Sequence, residues 1–399
     1  MATPLPADSA RPADERDRAS LRDLARYFLW LGTFGFGGPI ALVGYMQRDL
    51  VDQRHWFTDE EYREGLALAQ LAPGPLAAQL AFYLGWVRSR VIGATVVGVA
   101  FVLPSLLMVL ALSVAYVRFG ELTWMRAAFY GIGAAVIALI ARSVFKLTKL
   151  TLKHDRLLWA VCIVNALVVA WTQTEILWVF LASGVLVLVV RNWPMRPAAD
   201  GATTSAMLLA GLPSWLTSGI HGPASANVLW KILGFFAKGG AVVFGSGLAI
   251  VPFLYGGVVD QFHWLTERQF IDAVAVSMIT PGPVVITVAF IGYLTAGVAG
   301  ALIAAAGVFL PVYVITVVAA PHFKRLQSNA RVRAFVAGVT AAATGAIAGS
   351  AFVLGRRAIV DVITALIAVV TLALLVRLRK VPEPLLIAAA GILGIIVQR

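Results

Sequence analysis

Two Pro-Gly-Pro tripeptides, Pro73-Gly74-Pro75 and Pro281-Gly282-Pro283, interrupt otherwise apolar stretches of this 399-residue chain. Proline removes a backbone donor and clashes with the preceding turn, so each tripeptide breaks a helix that runs into it. Beyond the break a new half-helix is expected to begin at Leu76 and at Val284, with first amides that lack an intrahelical partner. Such N–H groups, at the positive end of a helix dipole, form an anion site that is strongest where no water competes. Two half-helices of this kind could close around one tetrahedral oxyanion. Gln70 and Gln79 lie near the first break, and Ser277, Thr280 and Thr287 near the second. Amide and hydroxyl donors hold an anion that must later be released, although each could equally serve an ordinary interhelical hydrogen bond. Lys238 and Arg26 are cations in or beside apolar runs, and Lys238 is a candidate for the same site unless it snorkels to an interface. Glu64 and Asp272, upstream of the two breaks, could carry protons or merely flank the membrane.

The elements that must position these residues are membrane helices. Hydrophobic residues make up 60% of the chain and charged residues 13%, against about a quarter charged in ordinary soluble domains; mean hydropathy is +0.86. Apolar runs long enough to span a bilayer recur near 24–44, 66–86, 91–117, 127–147, 157–171 and 174–190. They recur again near 228–255, 270–294, 298–320, 334–354, 358–378 and 384–397. The expected fold is an all-α polytopic membrane protein of about 10–13 membrane segments with Pro-Gly-Pro-broken helices. Residues 1–20 are a polar stretch expected to be a disordered cytoplasmic tail, not a signal peptide.

The halves are homologous. Val51-Asp-Gln-Arg-His-Trp-Phe-Thr58 returns as Val259-Asp-Gln-Phe-His-Trp-Leu-Thr266, six of eight positions identical, at an offset of 208. The same offset carries Pro73-Gly74-Pro75 onto Pro281-Gly282-Pro283, Phe36-Gly37 onto Phe244-Gly245, Glu64 onto Asp272 and Gln79 onto Thr287. An offset of 207 carries Pro104 onto Pro311, Arg126 onto Arg333 and Ser143 onto Ser350. Matching polar words at one spacing mark a duplication, with a first repeat at 21–192, a linker at 193–226 and a second repeat at 227–399. Within the linker, 206–218 is apolar enough to lie on or in a membrane. Duplicated transporters place the substrate site between their repeats. Lys and Arg collect on the cytoplasmic side, and inverting the second half brings Lys324–Arg333 and Arg377–Lys380 to that side, so inverted repeats are expected. This requires an odd number of crossings before residue 228.

Other chemistries find little support. The formal charge of +12 is expected from cytoplasmic loop cations, with no nucleic-acid partner. One cysteine, Cys162, excludes a thiolate cluster, and five histidines scattered through loops suggest neither a metal site nor a nucleophilic triad. The His55-Trp56 and His263-Trp264 pairs suit interfacial anchors. Gly35-Phe-Gly-Gly-Pro39 lacks the lysine of a phosphate loop. With no cofactor motif, an intramembrane enzyme is a distant alternative, and without an ATP-binding motif a gradient must drive any transport.

The words FGFGGP at 34–39, VDQRHWFT at 51–58, AQLAPGP at 69–75 and FVLP at 101–104, with FGSG, VDQFHWLT, SMITPGP and VFLP in the second half, resemble the chromate ion transporter family in its long, two-domain form. The resemblance runs from about Leu24 to the end of the chain. It implies a bacterial inner-membrane protein that exports chromate and confers resistance, with sulfate or another tetrahedral oxyanion as the alternative substrate. Membrane lipid and a second copy in a homodimer are the other expected partners. The repeats also diverge: Lys238 stands where the first has Trp30, and Gly245-Ser-Gly247 where it has Gly37-Gly38-Pro39.

Overall fold

The computed structural model describes residues 19–36, 38–119, 122–153, 155–172, 177–192, 225–242, 250–323, 329–377 and 383–398, with the short pairs 218–219, 222–223 and 244–245. Most of the expected tail and linker, including 206–217, lies outside these residues, as do Gly37, His154, His221, Ser246, Gly247, Lys324, Arg325 and Lys380.

The first repeat comprises α1 (Leu21–Phe34), α2 (Gly38–Met46) with a π-helical extension (Gln47–Gln53), α3 (Asp59–Leu71), β1 (Gly74–Pro75), α4 (Leu76–Phe119), α5 (Thr123–Leu152), α6 (Arg156–Thr172) and α7 (Leu177–Asn192). A small pairing of β2 (Ser218–Gly219) with β3 (Gly222–Pro223) precedes the second repeat. That repeat has α8 (Ala226–Val242), β4 (Phe244–Gly245), α9 (Ile250–Tyr255) with its own π extension (Gly256–Gln261), α10 (Glu267–Ile279) and α11 (Thr287–Ala319). It ends with α12 (Ala330–Ala358), α13 (Val362–Arg377) and α14 (Glu383–Val397). Among the described residues, four helices are long and apolar enough to cross a membrane: Leu76–Phe119, Thr123–Lys149, Val284–His322 and Ala330–Ala358.

The repeated HWxT word is a helix start. His55 and His263 take left-handed backbone at φ 52° and 51°, which turns the chain out of each π extension. Thr58 and Thr266 then cap α3 and α10 through reciprocal boxes with Glu61 and Gln269. Thr58 N–H donates to Glu61 Oε2 at 2.9 Å, and Glu61 N–H donates back to Thr58 Oγ1 at 3.1 Å. Such caps stabilise a helix start by about 1 kcal/mol, which accounts physically for a polar word shared by both halves.

Breaks that hydropathy reads as interrupted crossings prove to be reversals. Gly65 on α3 packs against Tyr83 and Leu80 of α4, and Tyr83 Oη donates to Glu64 Oε2 at 3.2 Å. The chain therefore enters along α3, turns at Pro-Gly-Pro and returns along the first arm of α4. That arm ends at Ser89 and Arg90, both with non-helical backbone. The second arm folds back past the first so closely that Gly85 and Gly93 leave no room for a side chain between them. In the second repeat Ala296 and Gly297 make the same break, and Gly292 meets Gly300. The expected 24–44 crossing also doubles back, because Tyr27 on α1 donates to Asp49 Oδ2 at 3.3 Å. At the matching place in the second repeat, Phe235 stacks on Phe253 with centroids 4.8 Å apart and abuts Gly257.

The long arms of α4 and α11 cross the centre antiparallel. Thr95 meets Tyr313 at 2.7 Å between hydroxyls, while Leu106 lies beside Leu302 in the same groove. Beyond them the repeats exchange helices. Helices α6 and α7 pack on α12 of the other half, and α13 and α14 pack on α5. Equivalent small residues allow this: Gly131 abuts Ala390, and Gly338, 207 positions on, abuts Ser183.

Candidate functional site

Each Pro-Gly-Pro turn rests on the glycine turn of the other repeat. Gly74 and Pro75 pair in parallel with Phe244 and Gly245; at the other crossing, Gly282 N–H donates to Gly35 O at 2.9 Å. Glycine is required at both tips. Gly74 and Gly282 have φ of +131° and +95°, and a side chain would run into Val312 and Ser105 respectively, themselves 207 positions apart. Any other residue there would be strained by its backbone and by contact.

The crossing of Gly282 with Gly35 encloses a charged cavity of about 60 Å³. A cavity must offer about 10–15 Å³ to hold a single water, so this one has room for a group larger than a water molecule. Gly35, Thr280, Gly282 and Val284 line it from the crossed turns, and Arg142, Lys146 and Glu383 from α5 and α14. Ile286 N–H donates to Pro283 O at 2.9 Å, the first bond of the returning arm. The Val284 and Val285 amides precede that bond, at the positive end of the helix. Arg142 Nη1 lies 3.1 Å from Glu383 Oε1, their side chains 26% and 32% exposed. At the other crossing the positions matching Arg142 and Lys146 on α12 are Gly349 and Val353. The halves thus share a scaffold while only one bears these cations.

The residues singled out from sequence separate accordingly. Thr280 and Gly282 reach the cavity, with Pro281 and Pro283 buried beside them. The Thr280 hydroxyl donates to Val276 O at 2.7 Å, Thr287 to Val284 O at 2.8 Å and Ser277 to Val274 O at 2.7 Å, so these donors are engaged within their own segments. Pro73, Gly74, Pro75 and Gln79 belong to the other crossing. Buried Gln79 donates to Pro73 O at 2.6 Å and braces that turn, its Oε1 having no hydrogen-bond partner. Gln70 and Lys238 are exposed, on α3 and α8, and do not line the cavity. Asp272 is 4% exposed, accepts from Tyr116 Oη at 2.7 Å and borders a second cavity of about 310 Å³ with Glu267, Arg268 and Arg357. It lies about 12 Å along α10 from Thr280, eight residues at 1.5 Å each. Among the described residues no group of three or more His, Cys, Asp or Glu could hold a metal.

Arg142, Lys146 and Glu383 were not singled out by the sequence reading. Two signals in the sequence mark the two cations, and none marks Glu383. Arg142 and Lys146 both fall inside the apolar run 127–147, where a cation is a functional candidate, and both break the repeat at the 207 offset.

Long apolar helices, a duplicated scaffold and a charged cavity between its halves define a multi-pass membrane transporter. The Chromate transporter family profile matches residues 22–188 and again 230–395, and the chain belongs to that family. It is 56% identical over 398 residues to the chromate transport protein of Cupriavidus metallidurans, covering 99% of this chain and 98% of that one. It is 53% identical over 378 residues to the probable chromate transport protein of Synechococcus elongatus, covering 94% and 95%. It is 33% identical over 332 residues to the chromate transport protein of Pseudomonas aeruginosa, covering 80% and 77%. No solved structure matches the chain.

Proposed function

We propose that this protein exports chromate across the bacterial inner membrane as a secondary transporter, and that its host thereby resists chromate. The observation that carries this reading is the cavity where Arg142 and Lys146 face the start of the arm after Pro281-Gly282-Pro283. Two cations and a helix N-terminus recognise a compact dianion, and the names of the relatives point to chromate. Sulfate has the same shape and charge, so it is the alternative at the same site. The interior-negative potential favours expulsion of either anion.

The repeats, taken as 21–192 and 227–399, are inserted in opposite senses, a reading supported by the antiparallel central arms and by the loop charges. Asp272 serves as a proton carrier: it is buried, borders its own charged cavity, lies about 12 Å along α10 from Thr280 of the oxyanion cavity, and is an ionisable group at depth. Glu64 is its counterpart in the first repeat, and the Gly74 and Gln79 turn is the structural mate of the binding turn.

Chromate accumulation in a sensitive bacterial host tests the reading. Cells with the wild-type protein are expected to hold less chromate than cells with Gly282→Leu at equal membrane abundance. Equal accumulation would refute export through this turn. Uptake into everted vesicles abolished by equimolar sulfate would transfer the assignment to sulfate.

A further inference from the structure

Resting on that reading of the cavity, we infer that Glu383 is a tethered competitor of the transported oxyanion, occupying Arg142 in the empty site and yielding it when the dianion binds. Arg142, Lys146 and Glu383 leave the cavity wall a net +1 by formal charge, one short of neutralising a dianion. The carboxylate lies 3.1 Å from the guanidinium, on the wall of a cavity of about 60 Å³. An oxyanion seated there meets Glu383 at close range, and like charges so placed disfavour each other.

Glu383 has somewhere to go. It occupies the first turn of α14, where the helix dipole favours a negative charge whether or not Arg142 is engaged. The body of α14 is fixed on α5, with Gly131 against Ala390 and Gly394 against Ala127. Release therefore needs only side-chain rotation, which the 26% and 32% exposure of Arg142 and Glu383 permits. A carboxylate that returns to the arginine as the oxyanion departs leaves no bare cation behind. It keeps a site with two cations from holding its substrate too long, since conduction requires binding weak enough to leave.

A purely structural Glu383, holding Arg142 in place for the substrate, gives the opposite sign under substitution, so the test is direct. Equilibrium binding of radiolabelled chromate and sulfate to the purified full-length protein is compared for wild type, Glu383→Gln and Arg142→Gln at one pH and salt concentration. Glu383→Gln is expected to tighten binding by about tenfold, the factor given by about 1.4 kcal/mol of relieved competition. Its transport turnover in vesicles is expected to fall, because release becomes slower. Unchanged or weaker binding by Glu383→Gln would overturn the inference while leaving the oxyanion site standing. Wild-type protein that binds neither anion, or binds both equally well after Arg142→Gln, would overturn the site itself and this inference with it.

Discussion

Replacing Arg142 with glutamine removes a cation of the cavity wall while keeping a polar, unbranched side chain. A hydrogen bond to a charged group contributes about 1.5–3 kcal/mol. The lower half of that range applies, because Arg142 is 26% exposed and already shared with Glu383. A loss of about 1.5–2 kcal/mol corresponds to about 10–30-fold weaker binding. Arg142→Lys keeps the charge but not the planar fork, so an intermediate loss of about 3–10-fold is expected. Radiolabelled chromate binding to detergent-purified protein reads both variants, with the melting temperature as a check that the fold survives. Binding by Arg142→Gln within twofold of wild type, in a protein that melts normally, would refute the placement of the oxyanion beside this residue.

Gly131→Leu sets a side chain against the Ala390 backbone, where α14 of the second repeat crosses α5 of the first. It is expected to destabilise the protein by about 1–3 kcal/mol, seen as a lower melting temperature in detergent. Asp272→Asn keeps the size of the group that accepts from Tyr116 but cannot exchange a proton. Wild-type vesicle transport is expected to vary with pH and transport by this variant to lose that variation; the same pH profile in both would exclude Asp272 as the carrier. Lys238→Gln alters an exposed residue outside the cavity and is expected to change chromate binding by less than about twofold, within the range of surface changes.

Much of this architecture was legible in the sequence. The 208-residue offset revealed the duplication, and Pro-Gly-Pro marked where helices must end. Hydropathy could not tell a broken crossing from a reversal, because both are two apolar arms around a break; the contact between Gly65 and Tyr83 distinguishes them. Nor could it assign partners to the small residues of α5 and α12, since a glycine advertises close approach without naming what approaches. The exchange of α6 and α7 for α13 and α14 therefore has no signature in the sequence. The site was half visible. Its backbone turn followed from proline and glycine chemistry, whereas Arg142 and Lys146, by charge alone, are indistinguishable from the cytoplasmic loop cations. Only the three-dimensional crossing of Gly282 with Gly35 brings them to the start of a helix.

The most direct measurement is an anomalous difference map from crystals of the protein soaked with selenate, a tetrahedral dianion whose central atom can be located unambiguously. The expected result is a peak between Arg142, Lys146 and the Val284 amide, lost in Arg142→Gln. A peak at the Gly74 and Phe244 crossing or beside Lys238, with none in the Arg142 cavity, would contradict the assignment.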